Sequence, residues 1–100
     1  MAMNWVYVVA GLTVLRQLAA QGVNCNNLNT LNWIEESTMY WQCQAGIHEA
    51  YLDARVDRNC KAIYHLVKEV DAFVENFRPH LADKQGISAQ TLAQYRPGIV

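Results

Sequence analysis

KAIYHLVKEVDAFVENFRP, residues 61–79, is the stretch whose reading decides the fold. Within it Ile63, Leu66, Val67, Val70, Phe73, Val74 and Phe77 recur at the three, four and seven spacing of one helical face. Lys61, Lys68, Glu69, Asp71 and Glu75 take the opposite face, and Pro79 ends the pattern. The spacing therefore predicts an amphipathic helix running to Phe77. Upstream, from Trp33 to Phe77, there is no proline and only one glycine, Gly46, so residues 33–77 read as one long helix or as two, broken near Gly46 or near Asp57 and Asn59. Asn32 with Glu35 has the form of a capping box that would open this segment, with Thr30 as the alternative cap.

Further out, Asn4 can cap a helix through Trp5, Val8, Val9, Leu12, Leu15, Leu18 and Ala19, with Gly22 as its left-handed stop. Its polar stripe is only Thr13, Arg16, Gln17 and Gln21, and a helix apolar over most of its circumference belongs in the middle of a bundle or at a dimer interface. Five asparagines crowd residues 24–32 and predict a loop, because their side chains compete for local backbone hydrogen bonds. A shorter helix, Ala89 to Tyr95, follows a turn at Gly86. No strand pattern of useful length stands out. The expectation is a single all-α domain over residues 1–100: a compact bundle of three or four helices, the first of them either central in the bundle or at the interface of a homodimer.

Composition narrows function by exclusion. At 52% hydrophobic and 17% charged the chain of 100 residues is no disordered segment. Eight Lys and Arg against nine Asp and Glu leave a net charge of −1, so bulk electrostatics draws it neither to nucleic acid nor to an anionic membrane. The apolar run from Trp5 to Leu15 is shorter than the about 20 residues a bilayer demands. Cys25, Cys43 and Cys60 are odd in number and widely spaced, which reads as reduced thiols in a cytoplasmic protein. Cys43 with His48 and Cys60 with His65 repeat one spacing, but five residues on a helix turn the two side chains apart, and no metal site is expected.

LADKQGISAQTLAQYRPG, residues 81–98, resembles the helix-turn-helix of phage repressor and Cro-like regulators, with Ala82, Gly86, Ile87, Ser88, Leu92 and Gly98 in the family's roles. That resemblance implies a DNA-binding regulator in which Ser88, Gln90, Thr91 and Gln94 face the major groove and Arg96 lies near a phosphate. Glu35, Glu36, Glu49 and Asp53 resemble the acidic face of MazG-type all-α nucleotide pyrophosphohydrolases, which implies Mg²⁺ held on a pyrophosphate. Tyr40 and Trp41 interleave with the same four carboxylates to form an acidic and aromatic patch suited to a protein partner. With no local nucleophile set and no glycine-rich phosphate loop, the leading expectation is a non-enzymatic binding protein without cofactor. Its profile is similar to phage-encoded or mobile-element inhibitors of host machinery, anti-CRISPR proteins among them. It would act through Glu35, Glu36, Tyr40, Trp41, Glu49 and Asp53 on a protein partner, with DNA the alternative partner and no membrane.

Overall fold

The computed structural model describes residues 1–5, 9–29, 42–53, 56–78 and 80–100. Along the chain these form β1 (Ala2–Trp5), α1 (Val9–Ala20), β2 (Cys25–Asn29), β3 (Ile47–Tyr51), α2 (Asp57–Val67), β4 (Ala72–Glu75), α3 (Leu81–Lys84) and α4 (Ala89–Tyr95). The strands build one sheet in the order β3-β2-β1-β4. Every pairing is parallel: Ala2 stands opposite both Cys25 and Ala72, and Cys25 opposite Ile47. The expectation of an all-α bundle is therefore corrected to an α/β fold with helices on both faces of a parallel sheet.

Residues 61–79 depart furthest from that expectation. The helix ends at Val67, and Ala72–Glu75 is a strand, so the supposed helical stripe is a helix followed by a strand. A parallel strand covered on both faces carries a continuous apolar run instead of an alternating one, and Ala-Phe-Val fits a helical template equally well. Likewise 33–77 is neither one helix nor two, because Ile47–Tyr51 interrupts it as β3. The amino-terminal helix begins four residues beyond β1, at Val9, and not at Trp5.

Strand alternation splits the core into two. On one face Ala2, Leu15 and Cys25 are buried with Leu18, Ala19, Ile47, Ala72 and Val74 around them, so α1 is laid against the sheet by Leu15 and Leu18. On the other, Met3, Leu28, Ile63, Val67, Val70, Ile87 and Leu92 close a larger cluster beneath α2 and α4. Leu15, Val67 and Val70 are fully excluded from solvent. Removing such a side chain costs about 2–5 kcal/mol. The turn out of α1 is made by Gly22 at φ +87°, a conformation that side chains with a Cβ resist.

α4 is stapled to α2. The Tyr64 hydroxyl donates to the Gly86 carbonyl at 2.8 Å, and the Tyr64 ring stacks on that of Tyr95 with centroids 4.4 Å apart. Asp71, just before β4, ties the amino edge together: its carboxylate accepts from the Met1 ammonium at 2.7 Å and from the Arg96 guanidinium at 3.0 Å. Among the described residues no helix is long and apolar enough to cross a membrane.

Candidate functional site

The order β3-β2-β1-β4 means that the chain winds outward from β1 through β2 to β3, then crosses back over α2 to pair β4 on the other side of β1. The winding therefore reverses between β1 and β4. Open parallel sheets bind ligands at such a point. Here that point has the end of β1, the start of α1 and residues 76–78 after β4 around it.

Each boundary has a chemical character set by its residues. α1 presents its first turn to this edge with no acidic side chain to neutralise its dipole. Gly11 in that turn is buried. α2 also starts at the carboxyl edge, and Val56 supplies no side-chain cap for its free N–H groups. Its first turns carry Arg58 and Lys61, both exposed. The loop after β4 is folded by Glu75, whose Oε2 accepts from the Phe77 N–H at 2.7 Å, and by a turn in which Leu81 N–H donates to the Arg78 carbonyl at 3.0 Å. It leaves Asn76 and Arg78 exposed, and it needs His80 at φ +69° to enter α3. An edge with two helix N-termini and the cations Arg58, Lys61 and Arg78 suits a polyanion, above all phosphate groups.

Beside it, at the ends of β2 and β3, lies a polar cluster. Glu49 accepts from Asn29 Nδ2 at 2.9 Å, from Gln44 Nε2 at 3.2 Å and from the Tyr51 hydroxyl at 3.1 Å. The bond to Glu49 is the main cause that raises the Tyr51 phenol above its ordinary pKa, with burial and the nearby charge adding to it. Asn27 and Asn29 are buried on the same side, so Cys25–Asn29, within the asparagine-rich stretch expected as a loop, is a central strand. Cys25 is no nucleophile: it is fully buried, and burial pushes its thiol up.

The residues singled out from sequence fall elsewhere. Glu35, Glu36, Tyr40 and Trp41 lie outside the described residues. Glu49 sits on β3 and Asp53 in the segment that follows it, not one turn apart on a helix. Ser88 caps α4 through its Oγ, which accepts from Thr91 N–H at 3.2 Å, and the Ser88 and Thr91 hydroxyls share a further bond at 2.9 Å. Gln90 and Gln94 are exposed on α4, while Arg96 is held by Asp71 at the amino edge. Among the described residues no three His, Cys, Asp or Glu side chains stand close enough to share a metal ion. In sequence Pro79 reads only as the stop of a helix, which hides Asn76 and Arg78. The available signal was an apolar run of strand length followed at once by polar and cationic residues.

Comparison with known proteins supplies the family. Residues 12–100 match CoA-transferase family III. The structure superposes on a CAIB/BAIF family protein from Brucella suis with a TM-score of 0.87 at 20% identity, covering 100% of this chain and 31% of that one. It also superposes on a hypothetical protein from Mycobacterium tuberculosis with a TM-score of 0.77 at 16% identity, covering 98% and 31%. The chain thus spans about a third of the length of these neighbours, which at such identities share its fold. No curated protein matches its sequence. These findings overturn the Cro-type, inhibitor and MazG-type expectations together, and with them the expectation of a non-enzymatic protein. The helix, glycine turn and second helix of residues 81–98 do form, but as α3 and α4 of an α/β fold.

Proposed function

Because the chain belongs to CoA-transferase family III, we propose that its carboxyl edge holds the phosphate-bearing end of coenzyme A for an enzyme that moves CoA between carboxylic acids. The observation that carries this reading is the family match over residues 12–100. CoA is a polyanion at one end and a thiol at the other. The α1 N-terminus and Arg78 would supply positive potential for the first where the sheet reverses its winding, and Arg58 and Lys61 add cations further along the same edge, after β3. Asn76, exposed beside Arg78, adds an amide that both donates and accepts.

In such a transfer the CoA sulfur leaves the donor acyl carbon, which ends as a carboxylate by gaining an oxygen, and is bonded to the acceptor's carboxyl carbon, which gives up an oxygen; the adenosine phosphates take no part in that exchange. Their contribution is anchoring: binding energy gathered far from the reacting carbon positions the thioester. The proposed role of this chain is that anchoring. Titration calorimetry with CoA, dephospho-CoA and pantetheine tests it. Binding should weaken as phosphates are removed and should fade with added salt. A folded chain that ignores CoA at millimolar concentration, or binds pantetheine equally well, overturns the reading.

A further inference from the structure

We propose that Glu75 is a positioning residue of the CoA site: its carboxylate is committed to the backbone of the loop after β4, and that bond presents Arg78 to the phosphates. The inference rests on the reading of this edge as the place where CoA phosphates bind, and it adds a residue that acts through its neighbours and not on the ligand. By charge alone Glu75 is out of place. An exposed anion three residues before Arg78, on an edge that takes a polyanion, lowers the local potential and opposes binding. Its presence there calls for a compensating effect of geometry.

Glu75 ends β4, and because its Oε2 accepts from the Phe77 N–H at 2.7 Å, one side chain closes a turn around Asn76. Side chains that bind the backbone two residues on are a usual means of fixing such turns. The bond falls where the ladder to β1 stops, at the pair Trp5 and Glu75. Phe77 is tied a second time, since its side chain packs against the cluster beneath α2. With N–H and ring both held, Phe77 is half-buried and its two neighbours, Asn76 and Arg78, are turned outward and exposed. The bond from Leu81 N–H to the Arg78 carbonyl at 3.0 Å then closes the loop behind them.

A carboxylate this near a guanidinium would, by electrostatics alone, pair with it. Among the described residues neither Glu75 nor Arg78 forms an ion pair, whereas the equally exposed Asp71 finds Arg96 across 25 positions of sequence. The bond to Phe77 therefore has two consequences. It orders the loop before a ligand arrives, which lowers the entropy cost of binding, and it leaves the Arg78 guanidinium available to a phosphate oxygen. A glutamine in the same place accepts the same bond through its amide carbonyl without the charge. Geometry and charge thus act on CoA affinity in opposite directions, and substitution at one position separates them.

The test is calorimetry with CoA on the 100-residue chain and its variants. Glu75→Ala removes both bond and charge, and affinity should fall about fivefold even though an anion has left a polyanion site. Glu75→Gln keeps the acceptor and should bind CoA at least as tightly as the parent. With Arg78→Ala already in place, Glu75→Ala should have a much smaller effect, since a residue that acts through Arg78 has lost its route. Backbone amide exchange reads the same bond without ligand: Phe77 N–H should exchange about tenfold faster in Glu75→Ala and not in Glu75→Gln, while Ile63 and Val67 in α2 stay protected. Unchanged or tighter binding by Glu75→Ala overturns the inference and leaves the CoA reading standing. So does a Glu75→Gln variant that weakens binding as much as Glu75→Ala, or a loss of the same size with and without Arg78. Protection lost at Ile63 and Val67 as well would make Glu75 a residue of general stability and overturn it too. A parent chain that ignores CoA overturns both.

Discussion

The Tyr64 ring lies flat against that of Tyr95, the planes within 4° of each other, while its hydroxyl reaches the Gly86 carbonyl. One side chain thus fixes both the turn before α4 and the end of it. Tyr64→Phe should lower stability by about 0.5–1.5 kcal/mol, the worth of one hydrogen bond. Gly86→Ala should cost more, at least about 2 kcal/mol. The added Cβ would lie 2.5 Å from the Tyr64 oxygen, and φ at +74° already opposes it. Urea midpoints with unchanged slopes check both.

Arg78→Ala should weaken CoA binding about tenfold, as expected for loss of one charge-assisted contact worth about 1.4 kcal/mol or more. Its remaining affinity should depend less on salt. Arg96→Gln removes a cation of the same kind at the opposite edge, where Asp71 holds it, and should leave CoA affinity unchanged. Calorimetry at two salt concentrations distinguishes them.

Asp71 governs acid sensitivity at the amino edge. The hydrogen bond from the Met1 ammonium, then that group's charge, then Arg96, hold its carboxyl below the ordinary value of 3.8. A carboxyl lowered in the folded state stabilises it above the unfolded pKa, and that contribution disappears as pH falls through the folded one. Asp71→Asn should therefore lower Tm at pH 7 slightly, since the group is exposed, and the gap from the parent should narrow as pH falls below the ordinary value of 3.8. Melting curves at pH 7, 4 and 2.5 test the sign.

His80 is the described non-glycine residue with positive φ, at +69°. A left-handed conformation costs a residue with a Cβ roughly 1–2 kcal/mol, offset in part by the larger unfolded-state entropy of glycine. His80→Gly should raise stability by about 0.5–1 kcal/mol in chemical denaturation. It should preserve the loop that carries Asn76 and Arg78, which unchanged CoA affinity would report.

What could be read in advance was local. The helical spacing of Leu12, Leu15 and Leu18, the stop at Gly22, and the helix Ala89 to Tyr95 after the Gly86 turn all depend on residues near one another in the chain. The strands did not declare themselves, because their logic is tertiary. Cys25–Asn29 spells loop by propensity, yet Asn27 and Asn29 are buried at its end and Glu49 accepts from Asn29 across the sheet. Ala72–Glu75 spells helix by spacing, because nothing in three apolar residues says that both faces are covered. The candidate site followed the same rule. Arg78 stands next to α1 in function only once the sheet order is known, and that order joins residues 70 apart in sequence, Ala2 and Ala72.

That same pairing sets how the molecule must assemble in time. No two neighbouring strands of this sheet are joined by a hairpin, so no rung can zip from a local turn, and β1 waits for partners supplied by distant parts of the chain. Topologies of high contact order close large loops before contacts repay the lost entropy, and they fold in milliseconds to seconds instead of microseconds. Until β4 arrives, Met3 and Phe73 lie open to solvent, and the nascent sheet has two unguarded edges. Early crowding of such chains favours aggregation over folding. Refolding yield should fall steeply with concentration even where the finished protein is stable.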